Sequence, residues 1–188
     1  MNAAEEIHAP NSREPAELEK FRRMATEGGD PNGKFRPRHK FNPVRIAYIR
    51  DQACAHFGRD PRQTRPLEGL RLLDIGCGGG LLCEPMARLG ATVIGADALS
   101  ENIPIARLHP DEFHPTIDYP PTTADDILAN RVHFHIVLPT EVFALVSPPI
   151  PFLSLCGALA SPCGLIIASP LHSIPKTLAP AILACHHV

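Results

Sequence analysis

No stretch of this chain approaches the roughly 18 unbroken apolar residues of a membrane-spanning helix, and none of its six cysteines forms a C-x-x-C pair. The first absence speaks against a span and the second against a zinc or redox module. Net charge is only −2, so no basic excess points to nucleic acid. Residues Met1 to Glu19 are polar and acidic, lacking both the apolar core of a secretion signal and the arginine-rich pattern of a transit peptide. The expectation is a non-secreted protein on the cytoplasmic or mitochondrial-matrix side, with free thiols. Ten histidines are present, but no Cys/His set has a zinc spacing. Charge also runs out along the chain: residues 127–188 hold only Arg131, Glu141 and Lys176. Prolines do the reverse, with 13 of 21 lying in residues 104–188. A length of 188 residues suggests one domain.

What is present is concentrated in Leu72-Leu73-Asp74-Ile75-Gly76-Cys77-Gly78-Gly79-Gly80. Leu70, Leu72, Leu73 and Ile75 suit a parallel strand covered on both faces. Gly76, Gly78 and Gly80 permit positive φ and let a ligand lie on bare backbone. A helix over roughly Leu81 to Leu89 would then offer free N–H groups at its start. A dinucleotide G-x-G-x-x-G fails here: from Gly76 it meets Leu81, and from Gly78 it meets Cys83. The D-x-G-x-G-x-G spacing is instead that of an S-adenosylmethionine site. The alternative is a glycine-rich turn of purely structural origin.

Gly90 is placed to end that helix, and Ala91 to Ala96 form a second strand leading to Asp97. This acid falls where a ribose-binding carboxylate is expected; the plainer reading is a cap for the next helix. Upstream, Glu17 to Thr26 has the stripe of a short amphipathic helix, followed by a loop at 28–33. The basic segment 34–50 follows, and a helix is expected from Pro43 through Phe57. Its charges make a solvated face, or else a patch for an anionic membrane surface or for the cofactor's carboxylate. Downstream the pattern alternates: helix 100–109, strand 117–119, helix 125–129, strand 132–138 and strand 165–169. Pro148, Pro149 and Pro151 should make the opening of the helix after the fourth strand irregular. The divisions are 1–33 (N-terminal helix and loop), 34–65 (basic helical cap) and 66–188 (cofactor-binding α/β domain).

These features together resemble the class I S-adenosylmethionine-dependent methyltransferases, and more narrowly the ubiquinone-biosynthesis O-methyltransferases. The resemblance covers roughly residues 16–170. It is carried by the glycine motif, by Phe35-Arg36-Pro37 through His39, by Asn42-Pro43-Val44-Arg45, by Leu81 through Ala91 and by Glu101-Asn102-Ile103. It implies a Rossmann-like, doubly wound, mostly parallel sheet, incomplete at its C-terminal edge because the family runs on through two further strands. It implies S-adenosylmethionine as cofactor, with Arg45, Asp74, Gly76, Gly78, Gly80, Asp97, Asp125 and Thr140 around it. The implied substrate is a phenolic polyprenyl intermediate, and a metal such as Mg²⁺ would fall on Glu141. No catalytic residue is assigned; His172 is the only nearby base by sequence. Departures gather after the fourth strand, where the family's glutamate and histidine are Ala144 and Leu145. Two other readings therefore stand: a homologue that binds the cofactor without turnover, and a methyltransferase for another small molecule.

Overall fold

The computed structural model describes residues 36–107, 117–120, 122, 124–140, 149–168 and 181–184. The expected helix at 17–26 lies outside them.

Helix α1 (Arg36–Phe57) leads into β1 (Arg71–Ile75), α2 (Cys83–Arg88), β2 (Thr92–Ala96) and α3 (Asn102–Arg107). Then come β3 (Ile117–Asp118), α4 (Ala124–Ala129), β4 (Phe134–Leu138), α5 (Pro149–Leu159), β5 (Ala160–Ala168) and β6 (Ala181–Ala184). The sheet order is β3-β2-β1-β4-β5-β6, with only the β5–β6 pairing antiparallel. This is the doubly wound α/β architecture expected. The order reverses between β1 and β4, which is where such sheets open a ligand crevice at their carboxyl ends.

Strand alternation explains the two cores. Leu72, Ile136, Leu138, Leu165 and Ile167 face a cluster that includes Ile49, Ala53, Met86 and Ile103 of the helices. Their neighbours Leu73, Ile75, Phe134, Val137 and Ile166 face the opposite side, against Ile127, Cys156 and Leu159. Successive side chains point to opposite faces, so unbroken apolar runs mark strands covered on both sides. Each fully buried leucine contributes about 1.5–3 kcal/mol.

Three expectations need correction. Helix α1 begins at Arg36 and runs through Pro43 rather than starting there. One internal proline deletes one backbone bond, and the inner residues Asn42, Arg45, Ile49 and Ala53 are all buried, which holds the helix across it. Helix α5 is regular from Pro149. Pro149 and Pro151 occupy its first turn, where N–H groups have no intrahelical partner in any case. The outer edge of β5 is not bare, since Leu165–Ala168 pairs with β6.

Candidate functional site

A cavity of about 670 Å³ opens at the carboxyl ends of β1 and β2. Asp74 through Gly79 make one wall and Ala96 through Leu99 another, with Arg45, Leu81, Asn102, Asp125, Phe152 and Leu155 among the other lining residues.

The glycine turn is built by the end of β2. The N–H groups of Gly76 and Cys77 both donate to the Ala96 carbonyl, at 2.7 and 3.2 Å. The Gly78 N–H donates to Asp97 Oδ2 at 2.9 Å, and the Leu99 N–H to Asp97 Oδ1 at 2.8 Å. Asp97 therefore closes the turn as well as lining the cavity; neither N–H it accepts belongs to α3, which begins at Asn102, so it is not that helix's cap. Gly76, Gly78 and Gly80 have φ of 78°, 53° and 80°. A Cβ on Gly78 would meet nothing within 4 Å, leaving bare backbone beside the cavity.

Gly80 departs from its expected role, being absent from the cavity wall. A Cβ there would stand 2.5 Å from the Tyr119 hydroxyl. Gly79 lines the cavity instead. The helix after the turn also starts later than expected, at Cys83. Residues 80–82 form turns, and the Glu84 N–H is already bonded to the Gly80 carbonyl at 3.3 Å. The free N–H groups expected of a helix beginning at Leu81 are thus partly used. Gly90 does end this helix, at φ 103°, with Gly90 and Ala91 N–H groups donating to Ala87 and Met86.

Beneath the turn lies a buried polar layer. The Cys83 thiol donates to Asp74 Oδ2 at 3.4 Å. The adjoining Cys77 thiol first, then burial and the Asp74 carboxylate, push the Cys83 thiol up, so it stays protonated. Burial likewise raises the Tyr119 phenol. Among the described residues Cys54, Cys77, Cys83, Cys156 and Cys163 form no disulfide.

Arg45 is 5% exposed, although it belongs to the basic 34–50 segment. Its Nη2 donates to Thr140 Oγ1 at 3.2 Å, a bond between residues 95 apart in sequence. Thr140 is fully buried behind Arg45 and absent from the cavity wall. Asn42, on the same face of α1, donates from Nδ2 to the Leu81 carbonyl at 3.0 Å. The structure therefore brings Arg45, Asp74, Gly76, Gly78, Asp97 and Asp125 to one cavity. Glu141, Ala144, Leu145 and His172 lie outside the described residues. Among the described residues no group of three or more His, Cys, Asp or Glu is arranged to hold a metal. Nor is any helix among them long and apolar enough to cross a membrane.

Sequence reasoning missed Phe152 and Leu155, which reach the cavity from α5, and the Asn42–Leu81 bond. The apolar pair lies in a proline-rich segment with no motif of its own, and the bond joins residues 39 apart.

The fold agrees with the comparisons. A family model described as a methyltransferase domain matches residues 20–174. The ubiquinone biosynthesis O-methyltransferase of Mesorhizobium japonicum is 51% identical over 172 residues, covering 92% of this chain and 69% of that protein. The enzyme of the same name from Cereibacter sphaeroides (strain ATCC 17025 / ATH 2.4.3) is 49% identical over 182 residues, covering 97% and 74%. The chain belongs to the ubiquinone biosynthesis O-methyltransferases. Among solved structures, a magnesium protoporphyrin IX methyltransferase from Synechocystis PCC 6803 with bound S-adenosylmethionine aligns with a TM-score of 0.60 at 19% identity. That alignment covers 79% of this chain and 69% of the other. A plantazolicin methyltransferase aligns at 0.58 and 18% identity, over 81% and 51%. Both have the Rossmann-like fold of S-adenosylmethionine-dependent methyltransferases, which is the fold of this chain.

Proposed function

We propose that the cavity binds S-adenosylmethionine and presents its methyl group to a phenolic oxygen of a polyprenyl hydroxybenzene. The observation that supports this most is the convergence of Arg45, bare Gly78 backbone and Asp97 on one cavity at the switch point of the sheet. The residue chemistry fits the cofactor in three places. The Arg45 guanidinium offers a planar fork for the carboxylate of the methionine moiety. Asp97 has acceptor capacity for both ribose hydroxyls, each charge-assisted bond contributing about 1.5–3 kcal/mol. Leu99, Phe152 and Leu155 give an apolar wall for the adenine, with Asp125 at its polar edge.

When bound, the cofactor supplies an electrophilic methyl on a sulfonium sulfur. The chain's own task is to fix that carbon in line with the attacking oxygen and to exclude water. Orientation of this kind is worth up to roughly 7–11 kcal/mol of barrier. Thr140 holds Arg45 in place, and Asp97 holds the glycine turn. No step is assigned to a metal, because Ala144 and Leu145 offer no ligand atoms beside Glu141. For the same reason methyl transfer by this chain is expected to be weak, with cofactor binding retained. The basic 34–50 segment is the proposed membrane-facing surface, with Phe41 and Val44 exposed on it and Arg45 turned inward.

Calorimetric titration with S-adenosylmethionine, paired with methyl transfer to a soluble short-chain catechol, tests both halves. Binding with little transfer is expected. No binding would overturn the cofactor assignment, and efficient metal-stimulated transfer would show that the departures after β4 do not disable the chain. Arg45→Lys is expected to weaken binding roughly tenfold, since a fork becomes a point charge.

A further inference from the structure

The inner face of α1 changes character along its length. Ile49 and Ala53 are fully buried in the apolar core, whereas Arg45 and Asn42, one and two turns earlier on the same face, are buried polar residues beside the cavity. The change falls where the helix leaves the core and passes the glycine turn. Arg45 lines the cavity. Asn42 does not, yet it is only 8% exposed and its Nδ2 donates to the carbonyl of Leu81, a residue of the cavity wall.

A buried primary amide is costly unless both ends are satisfied. Here Asn42 Oδ1 has no hydrogen-bond partner among the described residues. An apolar side chain of similar size would remove that cost, so stability alone does not account for an asparagine here. What the amide provides is a directional tie between α1 and the turn that follows the glycines. Residues three apart on a helix lie over one another; fixing Asn42 to Leu81 therefore fixes where Arg45 stands over the cavity. Thr140 secures the same guanidinium from the other side.

We infer that Asn42 is a positioning residue for the donor's carboxylate: through the Leu81 carbonyl it sets the placement of Arg45. The inference rests on the proposed donor site and goes beyond it by assigning a role to a residue that lines no part of the cavity. It predicts selectivity. A ligand that carries the amino-acid portion depends on Asn42, and one that lacks it does not.

The test compares two ligands on the full chain. S-adenosylhomocysteine retains the carboxylate, while 5′-methylthioadenosine keeps adenine, ribose and sulfur without it. Asn42→Ala should weaken the first about tenfold, equivalent to roughly 1.4 kcal/mol, and change the second by less than about twofold. Asn42→Asp, equal in size but without an N–H donor, should repeat the pattern. Addition of Asn42→Ala to Arg45→Ala should cost no further affinity for S-adenosylhomocysteine, because the route through Arg45 is already lost. Equal losses for both ligands, no loss for either, or additive losses with Arg45→Ala would overturn the inference while leaving the donor site standing. Failure of both Asn42 variants to fold would assign the residue to the scaffold and overturn it too. If the unmodified chain binds neither ligand, the donor reading itself falls, and this inference with it.

Discussion

The Tyr119 hydroxyl fills the space that a side chain on Gly80 would need, since a Cβ there would lie 2.5 Å away. The same ring presses on Gly95, where a Cβ would meet Cδ1 and Cε1 at 2.6 Å. Two glycines in successive parts of the cofactor half are thus small because one tyrosine lies between them.

The two contacts separate in a double-mutant experiment. Gly80→Ala clashes mainly with the hydroxyl oxygen, so Tyr119→Phe should recover about 1 kcal/mol or more of its cost. A residue of strain at φ 80° should remain, about 1–2 kcal/mol. Gly95→Ala clashes with ring carbons that phenylalanine keeps, so its coupling to Tyr119→Phe should lie within about 0.5 kcal/mol of zero. Urea unfolding of the single and double variants measures both terms; equal coupling in the two pairs would refute this division.

Asp97→Ala should lower S-adenosylmethionine affinity by roughly 10–100-fold, through loss of the ribose acceptor. It should also cost about 1 kcal/mol of stability, because the Gly78 and Leu99 N–H groups lose their acceptor. Asp97→Asn keeps one acceptor oxygen and should fall between. Titration and unfolding on the same samples check both; a loss of stability with intact affinity would leave Asp97 a turn-closing residue only.

Cys163 sits at φ 61°, a conformation that a non-glycine residue adopts only with strain. Cys163→Gly should stabilise the fold by about 1 kcal/mol, raising Tm by roughly 2–4 °C. The backbone carbonyl contact from His56 Nε2 at 2.8 Å does not depend on the side chain and should survive. A lower melting temperature would show that the thiol contributes more than its conformation costs.

His135 Nδ1 accepts the Arg71 backbone N–H at 2.9 Å, which requires the neutral ring with that nitrogen unprotonated. Burial first, then the Arg71 and Arg59 charges, hold its pKa below 6.5. The unfolded chain therefore takes up the proton at higher pH than the folded one. Stability should be full above about pH 6.5 and decline as pH falls from there to the depressed folded value. His135→Gln should flatten this slope in urea midpoints measured from about pH 5 to 7.5; an unchanged slope would place the dependence elsewhere.

The sequence was most readable where backbone geometry is written in residue type. Glycine, acid and strand pattern located the turn from Asp74 to Gly80, the second acid at Asp97 and the doubly wound sheet. Contacts set by how elements dock were not readable. Gly80 has the same residue type as Gly78, yet one faces Tyr119 and the other the cavity, and only the placement of β3 decides which. Pro43 looked like a helix start because propensity is local, while the burial that carries α1 across it comes from residues far away in sequence. Prolines after β4 suggested irregularity because their effect depends on position within the helix, and they fall in the first turn.

The glycine turn takes its shape from β2: Ala96 holds the N–H groups of Gly76 and Cys77, and Asp97 holds that of Gly78. The site therefore has no local existence, since no fragment ending before β2 can assemble it. Ligand recognition requires β1 and β2 to be already paired. A ligand that binds only the assembled state should leave the refolding rate nearly unchanged and act almost wholly by slowing unfolding.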